Sequence, residues 1–169
     1  MKHLFLIAII IGLGILTRAE TEYVVSSDGT NKVLKGLISR DLLENDTAFR
    51  WFHDNSASFV PKAEEAAVLR AKASQVQFLV FAATWSDETK YIIPRFFSLL
   101  DAAAVPSDQV TLIGVDHAKR SVHHLSEDMH ITDIPTIIVL KDGKEVGRVP
   151  GHGSEPWDMA LLRIIYTKF

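Results

Sequence analysis

The chain has 169 residues, 47% hydrophobic and 23% charged, which excludes wholesale disorder and suffices for one domain with a real core. Its formal net charge of −3 comes without any run of Lys or Arg, so a nucleic-acid partner is not expected. It contains no cysteine, which excludes disulfides, lipoprotein acylation and thiol–disulfide exchange through its own side chains.

The first element is a leader. Lys2 is followed by the uncharged, mostly apolar run Leu4 to Leu16, and Thr17-Arg18-Ala19 offers small residues at the outer positions of a cleavage site. That layout is a secretory signal peptide, and the run is short for a membrane span. Residues 1–19 are therefore expected to be removed, leaving an exported protein, periplasmic or secreted, with no stable membrane span. Loss of Lys2 and Arg18 would take the net charge from −3 to −5.

Glu20 to Thr30 is polar and reads as a flexible N-terminus containing a turn. Val33 to Ser39 suggests a short edge strand. Leu42, Leu43, Phe49 and Phe52 suggest one helix over Asp41 to Phe52. Pro61 opens a second helix over Lys62 to Ala73. Gln77 to Ala83 is a continuous apolar run, as expected of a central strand covered on both faces. Ser86 to Ala104 reads as a helix kinked at Pro94. Val110 to Val115 is a strand, and Ser121 to Met129 is a short helix or turn. Thr136 to Leu140 and Glu145 to Val149 form a hairpin about Asp142-Gly143. An amphipathic helix begins at Ser154 and carries Trp157, Leu161, Leu162 and Ile165. Strand–helix–strand units with a terminal hairpin predict an α/β fold with a mixed central sheet flanked by helices.

Three segments together resemble thioredoxin. In FLVFAATWSDETKYIIP, Trp85, Lys90 and Pro94 fit the family's strand–turn–helix frame, and Ser86 and Thr89 stand at its two cysteine positions. ITDIPTIIVLKDGKEVGRVPG is similar to the segment holding the family's cis-proline, with Ile134-Pro135-Thr136 followed by the hairpin. The amphipathic C-terminal helix is the third. The resemblance covers about residues 75–168. It implies a thioredoxin-like core over 75–169, with 20–74 as an N-terminal extension of the same globular unit. The chain also looks like the exported thioredoxin-like proteins of Bacteroidetes-type bacteria, some of which keep one cysteine in a WCxDT motif; here that position is Ser86.

Redox catalysis needs a thiolate at the helix N-terminus, where the dipole lowers its pKa. A serine hydroxyl cannot take that role, and Asp87 and Glu88 would oppose a neighbouring thiolate. The position matching the family's buried proton-transfer acid is Val80. Catalytic residues, cofactor and metal are therefore all expected to be absent. Ser86, Asp87, Glu88 and Thr89 read first as helix caps. By resemblance, Trp85, the former active-site turn and Ile134-Pro135 would face each other as a groove for an extended peptide or partner protein in the cell envelope, held by main-chain pairing. Pro135 is expected to be cis on the same ground.

Other readings compete with this one. By fold analogy, one has Ser86 activating a borrowed thiol such as glutathione, as some transferases of this fold do. A Ser-His-acid hydrolase lacks a GxSxG elbow. His117, His123, His124 and His130 lie close in sequence without a zinc-type spacing. Asn45-Asp46-Thr47 is a glycosylation sequon only in a eukaryotic secretory route, and no KDEL-type ending is found.

Overall fold

The computed structural model describes residues 23–169, and the signal-peptide reading of residues 1–19 lies outside them. Six strands among the described residues form one sheet: β1 (Tyr23–Ser27), β2 (Lys32–Ile38), β3 (Val76–Ala82), β4 (Val110–Gly114), β5 (Thr136–Lys141) and β6 (Lys144–Pro150). Their order across the sheet is β1-β2-β4-β3-β5-β6. Only β3 and β4 pair in parallel; the other neighbours are antiparallel. The helices are α1 (Arg40–Asn45), α2 (Trp51–Ala57), α3 (Ala63–Arg70), α4 (Asp87–Ala102), α5 (Leu125–Asp128) and α6 (Trp157–Lys168). This is the mixed, helix-flanked α/β sheet that the element order predicts.

β3 explains why its apolar run is continuous. Successive side chains of a strand point to opposite faces. Phe78, Val80 and Ala82 enter the larger core, shared with α2, α3, α4 and α6, while Leu79 and Phe81 join a smaller one containing Ile113, Ile134 and Ile138. Both faces of β3 are thus covered, and its last residues run directly into the turn before α4. α4 continues unbroken through Pro94 and presents Ile92, Ile93, Phe96, Phe97, Leu99 and Leu100 to the larger core.

Four expectations need correction. Residues 23–27 are not flexible: they form β1, paired with β2 from Tyr23↔Gly36 to Ser27↔Lys32. The turn is closed by Asp28 Oδ1, which accepts the N–H groups of Thr30 (2.8 Å) and Asn31 (2.6 Å). β1 is half-buried at Tyr23 and exposed along Val24–Ser27, so it shows no alternation in the sequence. β2 is consequently not an edge strand; it lies between β1 and β4. The single helix expected over residues 41–52 is α1, a 3-10 turn (Thr47–Phe49) and α2. Asp46 divides them, because its carboxylate accepts the Ala48 N–H at 2.9 Å and also pairs with Lys32. α6 starts at Trp157 rather than Ser154, with Pro156 as its N-cap.

Candidate functional site

The turn between β3 and α4 is held by the two hydroxyls at the thiol positions. Ser86 is the N-cap of α4; its Oγ accepts the Thr89 N–H at 3.4 Å and donates to Glu88 Oε2 at 3.4 Å. Thr89 Oγ1 accepts the Ala83 N–H at 3.1 Å, tying the helix back to the end of β3. Both side chains are buried, so they shape the turn by satisfying main-chain donors. Asp87 projects into solvent and meets Lys90 at 3.4 Å. Val80, at the position of the missing acid, is fully buried.

Trp85 packs against the smaller core, which also contains Ile134. Its ring stacks on His117 at 4.6 Å between centroids, and its Nε1 is shielded and unpaired. His117 Nε2 lies 3.0 Å from Asp28 in the β1–β2 turn, and Lys90 Nζ lies 3.3 Å from Asn31 of the same turn. The N-terminal residues therefore border the site through this turn. Trp51 and Phe52 do not approach it; Phe52 packs on Phe97 in the larger core.

The facing loop precedes β5. The Ile134–Pro135 peptide is cis. Pro135 O accepts the Gly151 N–H at 2.7 Å, and a Cβ on Gly151 would stand 2.8 Å from Pro135 Cδ, so only glycine fits this approach. Asp133 Oδ1 accepts the Ile134 N–H (3.0 Å) and faces His152 Nδ1 (2.8 Å), while Oδ2 accepts the His152 main-chain N–H (2.6 Å). The other ring nitrogen, His152 Nε2, is 3.2 Å from Glu88 Oε1. One imidazole thus spans from the cis-proline loop to the first turn of α4. Beside this bridge a cavity of about 560 Å³ is lined by Asp87, Glu88, Tyr91, Gly151 and Trp157, with the Arg95 guanidinium over the Tyr91 ring at 3.9 Å.

The charges follow from these contacts. Partial burial pushes the Asp133 carboxyl up, but the main-chain and ring hydrogen bonds from His152 outweigh it and the net pKa is lowered. Burial likewise raises Asp116, and hydrogen bonds from the Arg120 main chain and Lys35 reverse the sign. Asp46 is lowered chiefly by its hydrogen bond from Lys32. The hydrogen bond from His152 to Asp133 raises the histidine above its ordinary 6.5, with Asp133 and Glu88 charges adding to it. Carboxylates with depressed folded-state values stabilise fully above their ordinary 3.8 and lose that contribution as pH falls through the lowered values. A urea midpoint that holds down to about pH 4 and then falls is the expected result, with a smaller fall in Asp133→Asn; an unchanged midpoint at about pH 2 would contradict it.

The structure thus brings Trp85, Ser86, Glu88, Thr89, Ile134 and Pro135 to one end of the sheet, with Asp87 pointing away. Asp133 and His152 escaped the sequence reading. The hairpin contained the signal: Thr136 pairs with Pro150, so the next two steps place Gly151 beside Pro135 and His152 beside Ile134. The remaining histidines disperse. His124 lies 3.3 Å from Glu127, and no group of three metal-capable side chains converges among the described residues.

The thioredoxin family model matches residues 59–159. Over 98 residues the chain is 32% identical to a thioredoxin of Echinococcus granulosus, covering 57% of this chain and 86% of that one. It is 34% identical over 83 residues to a thioredoxin of Mycolicibacterium smegmatis, covering 49% and 69%. With the TPR repeat-containing thioredoxin TDX of Arabidopsis thaliana it shares 32% identity over 80 residues, 47% of this chain and only 20% of that protein.

Proposed function

The chain belongs to the thioredoxin family, and we propose that it serves as a non-catalytic peptide- or protein-binding module, chaperone-like in character, in the cell envelope. The observation that carries the reading is the juxtaposition of a cysteine-free turn with a cis-proline loop. Trp85 and Ile134 belong to one apolar cluster, and a single imidazole separates Glu88 from Asp133. An extended chain would pair with the main chain at Ile134 and lay its side chains toward Trp85. Main-chain pairing supplies such binding without a thiol. Export rests on the leader-like pattern of residues 1–19. The borrowed-thiol enzyme draws little support, because the Ser86 hydroxyl is buried and engaged with Thr89 and Glu88.

Reduced, carbamidomethylated α-lactalbumin, a soluble unfolded chain, is a suitable probe when labelled with a fluorophore. The expected result is saturable anisotropy with a Kd of about 1–100 μM, in the range of small, transient interfaces. Trp85→Ala, shown to be folded by circular dichroism, should weaken it about tenfold, as loss of a buried aromatic anchor does. No binding by the wild type, or equal binding by the variant, would refute the groove.

A further inference from the structure

We propose that His152 is a pH-dependent strap across the groove: protonated, it ties the N-terminus of α4 to the cis-proline loop, and deprotonated, it releases Glu88 and frees the loop for an extended chain. The regulatory meaning rests on the groove reading above, whereas the strap itself rests on geometry.

Asp133 Oδ1 occupies the N–H of Ile134 at 3.0 Å, the main-chain donor that an incoming chain would take. His152 holds that carboxylate in place with its own N–H (2.6 Å) and Nδ1 (2.8 Å), so the loop is self-satisfied. An imidazolium donates from both nitrogens, serving Asp133 and Glu88 together. A neutral imidazole donates from one. Keeping the shorter contact to Asp133 would leave a lone pair on Nε2 facing the Glu88 carboxylate at 3.2 Å; the ring swings out to relieve that repulsion, and Asp133 loses the Nδ1 contact that pins it on the Ile134 N–H.

The other charged groups around the strap have their own partners. Asp87 meets Lys90 at 3.4 Å, Glu155 meets Arg163 at 2.6 Å, and Lys119 donates to Thr132 O at 2.7 Å. Ser86 Oγ donates to the far oxygen of Glu88. Asp133 and Glu88 are thus the carboxylates in contact with the ring, and they raise its pKa. The sign follows: the strap is complete below the ordinary histidine value of 6.5 and opens as pH rises through the elevated one.

Glu88→Gln separates the strap from its titration, since an amide accepts from imidazolium and donates to neutral Nε2. Nuclear magnetic resonance of the His152 ring should show an elevated pKa in the wild type and a lower one in Glu88→Gln. The Ile134 amide should lose exchange protection, corrected for intrinsic rates, between about pH 5.5 and about pH 8 in the wild type and keep it in the variant. Unchanged protection in the wild type, or the same loss in both proteins, would overturn the strap. The unfolded α-lactalbumin probe should bind the wild type about two- to fivefold more tightly at about pH 8, the scale of one exposed ion pair, and Glu88→Gln equally at both. Equal wild-type binding at both values, with the strap opening, would overturn the regulatory role. Binding at neither value would remove the groove reading and that role with it, leaving only a structural pH response.

Discussion

Phe96→Ala is expected to lower the free energy of unfolding by about 3–5 kcal/mol, the usual loss when a buried phenylalanine is truncated. Phe96 is fully buried and joins α4 to the sheet, edge-on to Phe78 at 5.2 Å and to Phe97 at 5.7 Å. Its loss removes apolar burial and leaves a void whose rim is made by a strand and a helix that are both fixed by other contacts. A domain of this size has roughly 5–15 kcal/mol to lose, so the variant should fall near the margin of stability. Urea denaturation checks this as a lowered midpoint with an unchanged slope. Tyr166→Ala on the outer side of α6, where the side chain is 82% exposed, should stay within about 0.5 kcal/mol of wild type. Similar midpoints for the two variants would mean that α4 is not packed on β3 as described.

The wild type should not accelerate the reduction of insulin by dithiothreitol, whereas Ser86→Cys combined with Thr89→Cys should. The two positions are the N-cap and the third residue of α4, so a thiolate at position 86 would meet the free N–H groups and positive end of the helix. Two features limit the gain. Asp87 and Glu88 place negative charge beside that thiolate, and Val80 supplies no proton-transfer group. General acid–base assistance contributes about 10²–10⁴-fold, so the engineered turnover should lie at least about 10²-fold below that of a thioredoxin possessing the acid. Ser86→Cys alone should form mixed disulfides without turning over. Turnover by the wild type would refute the redox-inactive reading, and no turnover by the double variant would show that the turn no longer has a redox-competent shape.

The elements with one clear period were legible in the sequence. β3, β4 and the β5–β6 hairpin are apolar runs bounded by turn residues, and α4 and α6 show a buried stripe. β1 was not legible, because four of its five side chains face solvent and its pairing comes from β2 and the Asp28 turn. The break between α1 and α2 is made by Asp46, a cap-type residue whose carboxylate accepts the nearby Ala48 N–H and also reaches Lys32 on a distant strand, the second contact being one that no local pattern reveals. At the site, Trp85, Ser86, Thr89 and Pro135 stood out through the resemblance of their segments to thioredoxin. Asp133 and His152 acquire meaning only through hairpin register, which places the residue two beyond β6 opposite the one before the cis-proline. His117 was visible as a histidine but not as the stacking partner of Trp85, since the two come from the ends of neighbouring parallel strands.

We propose that this thioredoxin fold, without cysteines, keeps a working groove between Trp85 and the cis-proline loop. Titrating isotope-labelled protein with unfolded α-lactalbumin at about pH 8, where the His152 strap should be open, tests it residue by residue. Saturable shifts are expected at the Trp85 indole and at the amides of Ile134, Gly151 and His152, with Val24 and Tyr166 unmoved. Shifts confined to β1 or α6, or none at saturating probe, would contradict it.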